Sequence, residues 1–290
     1  MRCMLCPRRC GADRSRNPGD CGADDKARVA LAALHRYEEP CISGARGSGA
    51  IFFSGCNLQC VFCQNHEISA APVGIVCDAE ALARQMLSLE QQGAHNINLV
   101  TPAPHVLLLH KAIPLARGQG LKIPIVYNTN AYELVETLRL LEGLIDVYLP
   151  DLKYVSGDLS SRYSGAQDYF AYAAPAILEM ARQCGKLELD AEGMAARGVI
   201  LRHLVLPGSV DETRRVLDAI ADMLPLDTAL SLMGQYVPMH RADFAPLDRR
   251  LTAREYRRAV EYCMDKGFEN VLIQSLDSAK PDYTPEFTKM

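Results

Sequence analysis

Beyond about residue 49 the chain alternates between short apolar runs and longer stretches whose apolar residues recur every three or four positions. The runs at Ala50–Phe53, Asn96–Val100, Ile123–Tyr127, Ile145–Leu149, Val199–Leu206, Ala229–Met233 and Val271–Gln274 are bounded by turn residues and predict buried strands. Between them lie helical patterns. Asp78 is placed to cap a helix over Ala79–Gln92, whose apolar face is Leu82, Met86, Leu87 and Leu89 and whose stop is Gly93. Further helices are predicted over Val106–Ala116, Tyr132–Leu141, Ala173–Cys184, Glu212–Met223 and Ala253–Lys266. Such alternation with short connections means an α/β fold in which a parallel sheet is covered by helices. The segment Val29–Leu34 fits either a helix or an extended stretch, and Gly44, Gly47 and Gly49 read as a turn into the first strand.

In parallel α/β architectures ligands gather at the carboxyl ends of the strands. The residues to inspect are therefore Thr101-Pro102-Ala103-Pro104-His105, Asn128-Thr129-Asn130, Pro150-Asp151-Leu152-Lys153, Arg202-His203 and Gln235–His240. His105 is a candidate acid or base there, or a plain polar residue of the rim. His35 and Glu38 are read as part of an exposed connection fixed by Pro40, with their polar groups in water.

Charge and composition narrow the function classes. The formal net charge is −4, with both signs dispersed over 290 residues, so no polyanion-binding surface is expected and nucleic acid is not a predicted partner. No window reaches the roughly 20 apolar residues of a membrane helix, and the start Met1–Arg9 lacks an apolar signal core, so no membrane association and a cytoplasmic location are expected. Eleven cysteines in that setting point to metal ligands rather than to a disulfide framework.

Those cysteines fall into three groups. Cys3, Cys6, Cys10 and Cys21 form C-x2-C-x3-C-x10-C among glycines, prolines and arginines, with almost nothing apolar to bury. A small module held by metal follows, and structural zinc and an iron–sulfur cluster both suit four thiolates. Cys41, Cys77, Cys184 and Cys263 are scattered singly and read as small core residues. The third group is Cys56, Cys60 and Cys63, C-x3-C-x2-C in a short loop after the apolar run Ala50–Phe53. Three thiolates from one loop leave one corner of a cubane cluster without a protein ligand; an incomplete zinc loop or three unrelated buried cysteines are the alternatives.

With Phe62 before the third cysteine, this loop resembles the hallmark of the radical S-adenosylmethionine (SAM) superfamily, C-x3-C-x-aromatic-C. The longer phrase Phe53-Ser54-Gly55-Cys56-Asn57-Leu58-Gln59-Cys60, then Phe62-Cys63-Gln64-Asn65, is similar to the branch of pyruvate formate-lyase activating enzyme and its iron–sulfur relatives. The resemblance implies a partial (β/α)6 barrel, a [4Fe-4S] cluster on Cys56, Cys60 and Cys63, and SAM chelated to the open iron. It further implies that Phe62, Asn128, Asp151, Lys153 and Arg202 lie around the cofactor, Arg202 reaching the SAM carboxylate. Two positions depart from the family pattern. Thr101 opens a segment where relatives carry Gly-Gly-Glu, so backbone carbonyls near it would have to receive the SAM amino group, and Asn128 replaces an aspartate that helps bind a monovalent cation.

Two regions are thus expected, a Cys-rich extension and connector over 1–48 and a radical SAM barrel over 49–290. The implied activity is reductive cleavage of SAM and hydrogen-atom abstraction, an oxidoreductase chemistry, with a glycine of a partner glycyl radical enzyme as the target. Flavodoxin or ferredoxin is the implied electron donor. Radical chemistry on a small molecule or another protein side chain is the alternative within enzymes, and a non-catalytic iron–sulfur carrier the alternative outside them.

Overall fold

The computed structural model describes residues 2–69, 71–276, 285 and 287. In chain order the strands are β1 (Ala27–His35), β2 (Ser48–Phe53), β3 (Ile75–Cys77), β4 (Ile97–Val100), β5 (Ile125–Thr129), β6 (Val147–Pro150), β7 (Glu188–Leu189), β8 (Ala195–Leu204), β9 (Ala229–Met233) and β10 (Val271–Ile273). The helices are α1 (Pro40–Ser43), α2 (His66–Ser69), α3 (Ala79–Gln91), α4 (Val106–Gly118), α5 (Val135–Leu138), α6 (Gly157–Ser164), α7 (Tyr169–Cys184), α8 (Val210–Met223) and α9 (Ala253–Asp265).

The strands join in the order β10-β9-β8-β6-β5-β4-β2-β1-β3, with β7 attached to β8. Every neighbouring pair from β2 through β10 along this path is parallel, whereas β1 runs antiparallel to both β2 and β3. The parallel, helix-covered sheet is the α/β partial barrel expected. Val29–Leu34 is extended, and as part of β1 it closes the free side of the first barrel strand. Val271–Ile273 adds a further parallel strand beyond the six-stranded count.

Strand pleating sorts the side chains. On β5, Ile125 and Tyr127 join an outer core with Leu82, Met86, Leu109 and Ile113 of α3 and α4, while Val126 points the other way, into a lumen cluster with Val147, Leu149 and Ile200. Each half-turn of strand reverses the face. Ile42 of α1 enters the same lumen cluster and plugs its lower end. Continuing the inward series toward the strand carboxyl ends brings Asn98, Asn128 and Arg202 to the space above that plug, bonded to one another through Glu38. The hydrophobic floor thus sets the position of the polar chamber.

Most helices match their sequence patterns: the Asp78 carboxylate accepts from Ala81 N–H at the start of α3, and Thr252 and Glu255 form a reciprocal capping box on α9. The helix predicted over Tyr132–Leu141 is shorter. Ala131 has φ 60°, Leu134 is extended, and α5 begins only at Val135. The Glu133 carboxylate is drawn inward to accept hydrogen bonds from Tyr127 (2.7 Å) and Thr129, which holds this stretch out of helical geometry. Conversely α6, with a single leucine, carries too little apolar periodicity to be seen in sequence; its inward positions are Ser160, Tyr163 and Ser164.

Candidate active site

The loop after β2 is fixed by contacts independent of its sulfurs. Cys56 N–H donates to Cys21 C=O (2.9 Å), Val61 N–H to Tyr163 C=O (2.8 Å), and Arg241 N–H to Val61 C=O (2.8 Å). The buried Asn57 amide donates to Tyr132 C=O at 2.5 Å. Gly55 has φ 92°, and a β-carbon there would stand 2.9 Å from Cys21 C=O and 3.1 Å from Ala23 Cβ, so glycine is required by backbone and space alike.

So anchored, Cys56, Cys60 and Cys63 line one cavity, and Cys56 and Cys60 have hydrogen-bond partners beyond the loop. Asn130 Nδ2 donates to Cys56 Sγ (3.5 Å) and Leu58 N–H to the same sulfur (3.4 Å). Cys60 Sγ meets Ser164 Oγ at 3.0 Å, and that hydroxyl meets Tyr154 Oη at 2.9 Å. Burial, followed by the neighbouring Cys60 and Cys63, pushes the Cys56 thiol far above its ordinary value; burial pushes Cys63 up to about 11. Among the described residues no three His, Cys, Asp or Glu side chains close on a single metal ion. Three soft sulfurs lining one cavity are a donor set that fits an iron–sulfur cluster with one corner left to another ligand.

The same cavity is lined by Phe62, Thr101, Asn128, Asp151, Lys153 and Arg202. Arg202 is the hub of these polar groups: Nε donates to Asp151 (2.8 Å), Nη1 to Glu38 (3.1 Å) and Nη2 to Asn128 Oδ1 (2.5 Å). Lys153 Nζ donates to the other Asp151 oxygen at 2.7 Å. Burial alone would raise Asp151, but Arg202 and then Lys153 outweigh it and hold the carboxyl below its ordinary range. Burial would likewise lower Lys153, yet Asp151 and the Cys60 thiol keep it raised and charged. Below them Glu39 is raised, by burial above all and further by Glu38 against the pull of Arg202. Asp151 and Glu38 thus face Arg202 and Lys153, two acidic side chains against two basic ones in a buried site.

Thr101 adopts φ 57°, a left-handed conformation that is costly for a β-branched residue, and its N–H is held by Asn128 C=O at 3.0 Å. Phe62 packs edge-on against Tyr236, with ring centroids 5.9 Å apart. Gln235, Tyr236 and Val237 line the cavity as their strand-end position implied, and His240 stacks on His66 at 4.8 Å nearby.

Two readings from sequence need correcting. Glu38 is no solvated surface charge: its side chain is 13% exposed and bonds Asn98, Asn128 and Arg202 inside the chamber, with His35 beside it on the cavity wall. His105 is no rim residue. It is buried against Phe53, its Nε2 bonds Ser54 C=O at 2.9 Å, and it is absent from the cavity lining. Burial lowers His105 to about 4, so the stability it contributes is complete above the unfolded value near 6.5 and is lost as pH falls from there toward 4. Its share is at most roughly 3 kcal/mol. Urea denaturation of His105→Gln, which keeps a donor for Ser54, should therefore show lower stability at pH 7 and a flatter decline from pH 6.5 to 4; an unchanged slope would remove His105 as the cause.

A parallel partial barrel with three loop cysteines at its mouth and a charged strand-end chamber behind them is the architecture of a radical enzyme built on an iron–sulfur cluster and a nucleotide cofactor. The family model of the radical SAM superfamily matches residues 50–220. The chain belongs to that superfamily. It is 31% identical over 270 residues to an uncharacterized protein of Methanocaldococcus jannaschii, covering 89% of this chain and 73% of the relative. In fold it is similar to native anSMEcpe with bound AdoMet, with a TM-score of 0.50 at 16% identity over 73% of this chain. The chain spans 57% of the length of that protein. A domain of pyruvate-formate lyase-activating enzyme from Bacteroides vulgatus aligns over 59% of this chain and 93% of its own, at 12% identity and a TM-score of 0.40.

Proposed function

We propose that Cys56, Cys60 and Cys63 hold a [4Fe-4S] cluster at which SAM is reductively cleaved to methionine and a 5′-deoxyadenosyl radical, which abstracts a hydrogen atom from a glycine of a partner glycyl radical enzyme. The observation that carries the reading is that the three thiols share one cavity with Asn128, Asp151, Lys153 and Arg202. Arg202 spends one N–H on each of its three acceptors, which leaves one on each terminal nitrogen to offer a carboxylate. Asp151 and Glu38 hold that guanidinium in place, and Thr101 turns its backbone at the end of β4 into the space where relatives carry glycines. Asn130 and Ser164 direct N–H and O–H groups at the ligand sulfurs, a lever on cluster potential. Phe62 and Tyr236 shield the cavity from water.

The glycine target rests on the resemblance of Phe53–Asn65 to the activating enzymes. On the same reading the chain works in the cytoplasm, receives electrons from flavodoxin or ferredoxin, and carries a second metal on Cys3, Cys6, Cys10 and Cys21 in its amino-terminal extension. Among the described residues no helix is long and apolar enough to cross a membrane.

The test is anaerobic reconstitution with iron and sulfide, reduction, and quantification of 5′-deoxyadenosine. SAM-dependent formation is expected, and a reduced, intact cluster that yields none would reduce the protein to an electron carrier. A doublet glycyl radical signal on a co-incubated glycyl radical enzyme, requiring SAM, supports the glycine target; cleavage with the radical confined to a small molecule or another side chain overturns it.

A further inference from the structure

The amino-terminal segment is folded without a core of its own. Over residues 2–26 only Pro7, Cys21 and Ala23 are buried. A hairpin-like closure is made by Cys3 N–H to Ala12 C=O (2.9 Å) and Gly11 N–H to Cys3 C=O (3.0 Å), and tight turns follow at Arg9 N–H to Cys6 C=O and Gly22 N–H to Gly19 C=O. These turns fold the chain so that its four cysteines face inward together. Cys6 lies within electrostatic range of Cys3, Cys10 and Cys21, and Cys21 within range of Cys3 and Cys10. A β-carbon at Gly19 would stand 3.2 Å from Cys10 Sγ and 3.6 Å from Cys21 Sγ, so glycine keeps the space between those sulfurs clear. A segment this poor in apolar contacts gains its folding free energy from what its thiols bind.

Structural zinc and an iron–sulfur cluster both suit four thiolates, and the place of the module against the catalytic loop is what separates them.

The module also sits directly on the catalytic loop. Cys21 C=O accepts from Cys56 N–H at 2.9 Å, joining a thiol-bearing residue of one group to one of the other. Arg8, two residues from Cys6, donates from Nε to Asn57 C=O (2.9 Å) and from Nη1 to Gly165 C=O (2.6 Å), and lies 5.4 Å over the Tyr132 ring. Arg14 donates to Pro104 C=O at 2.8 Å on the neighbouring strand end. A metal that served folding alone would not need this address.

We propose that Cys3, Cys6, Cys10 and Cys21 ligate a second iron–sulfur cluster, which accepts one electron from a reduced low-potential carrier protein and passes it to the cluster at Cys56, Cys60 and Cys63. The transfer moves one electron and no proton: the carrier is oxidised, the amino-terminal cluster is reduced and then reoxidised as the catalytic cluster is reduced. The inference rests on the proposed function for its electron acceptor, but the ligand set is tested without it.

The experiment uses the full-length chain with Cys56, Cys60 and Cys63 all changed to alanine, purified and reconstituted anaerobically. It should retain about four iron and four sulfide per chain, without zinc. Addition of reduced flavodoxin or ferredoxin should bleach its visible absorption and give an S = 1/2 resonance, although this variant cleaves no SAM. One zinc and no iron, or iron that the reduced carrier leaves oxidised, overturns the proposal. Should the triple variant not fold, the wild-type chain decides: about eight iron supports a second cluster, and about four iron with one zinc or with no further metal overturns it.

Discussion

Serine in place of any one of Cys56, Cys60 or Cys63 is expected to abolish 5′-deoxyadenosine formation, a loss of at least ~10³-fold, equivalent to about 4 kcal/mol of barrier. The sulfur is the soft ligand that iron–sulfur clusters require, and a serine hydroxyl of the same shape is a poor replacement. The far-UV circular dichroism should hardly change. The loop is pinned by Asn57 to Tyr132, Val61 to Tyr163 and Arg241 to Val61, none of which passes through sulfur. Cys263→Ala provides the contrast: that thiol is buried among α8 and α9 residues, remote in function from the cavity lining, and its loss should cost stability while cleavage continues. If a serine variant retained wild-type cleavage, the thiol concerned would not be a cluster ligand.

The site was legible where its residues fall next to one another in sequence or at strand ends. Cys56, Cys60 and Cys63 are separated by three and two residues on one loop, and Asn128, Asp151 and Lys153 each follow a run of strand formers, so sequence order alone carried them to the barrel mouth. Glu38 was not legible. Its place depends on β1 pairing with β2, which turns the connection after His35 over the lumen rather than out into water, and that pairing is a long-range fact. Asn130 was placed at a strand end without a role and Ser164 was missed, for a related reason: their value lies in proximity to Cys56 and Cys60, across 74 and 104 residues of chain. A polar residue in a short helix such as α6 looks like surface until the partner sulfur is known. His105 failed in the opposite direction, because a histidine just past a strand resembles a rim residue when its ring is in fact packed on Phe53.

Arg202→Gln should both prevent SAM binding and destabilise the chain by about 3–5 kcal/mol, the cost of leaving buried carboxylates without their cation. Two effects share one cause, because the guanidinium that offers its free N–H groups to the cavity also neutralises Asp151 and Glu38. Acid distinguishes this from simple loss of packing. In the wild-type chain Asp151 is held below its ordinary value, so its contribution is present above the unfolded value near 3.8 and declines as pH falls through the folded one. Without Arg202 only the Lys153 ammonium opposes burial, so the carboxyl sits higher than in wild type, and the variant should lose less stability than wild type as pH falls into the carboxylate range. Arg202→Lys restores a charge but not the planar fork, since one ammonium cannot span Asp151, Glu38 and Asn128 as the three nitrogens do. It should recover most of the melting temperature while SAM affinity, measured by anaerobic calorimetry on the reconstituted chain, remains at least ~10-fold weaker, a difference of about 1.4 kcal/mol. Wild-type affinity in the lysine variant would mean that Arg202 orders the chamber without touching the cofactor, and the carboxylate contact would have to be sought at Lys153, the other cation on the cavity wall.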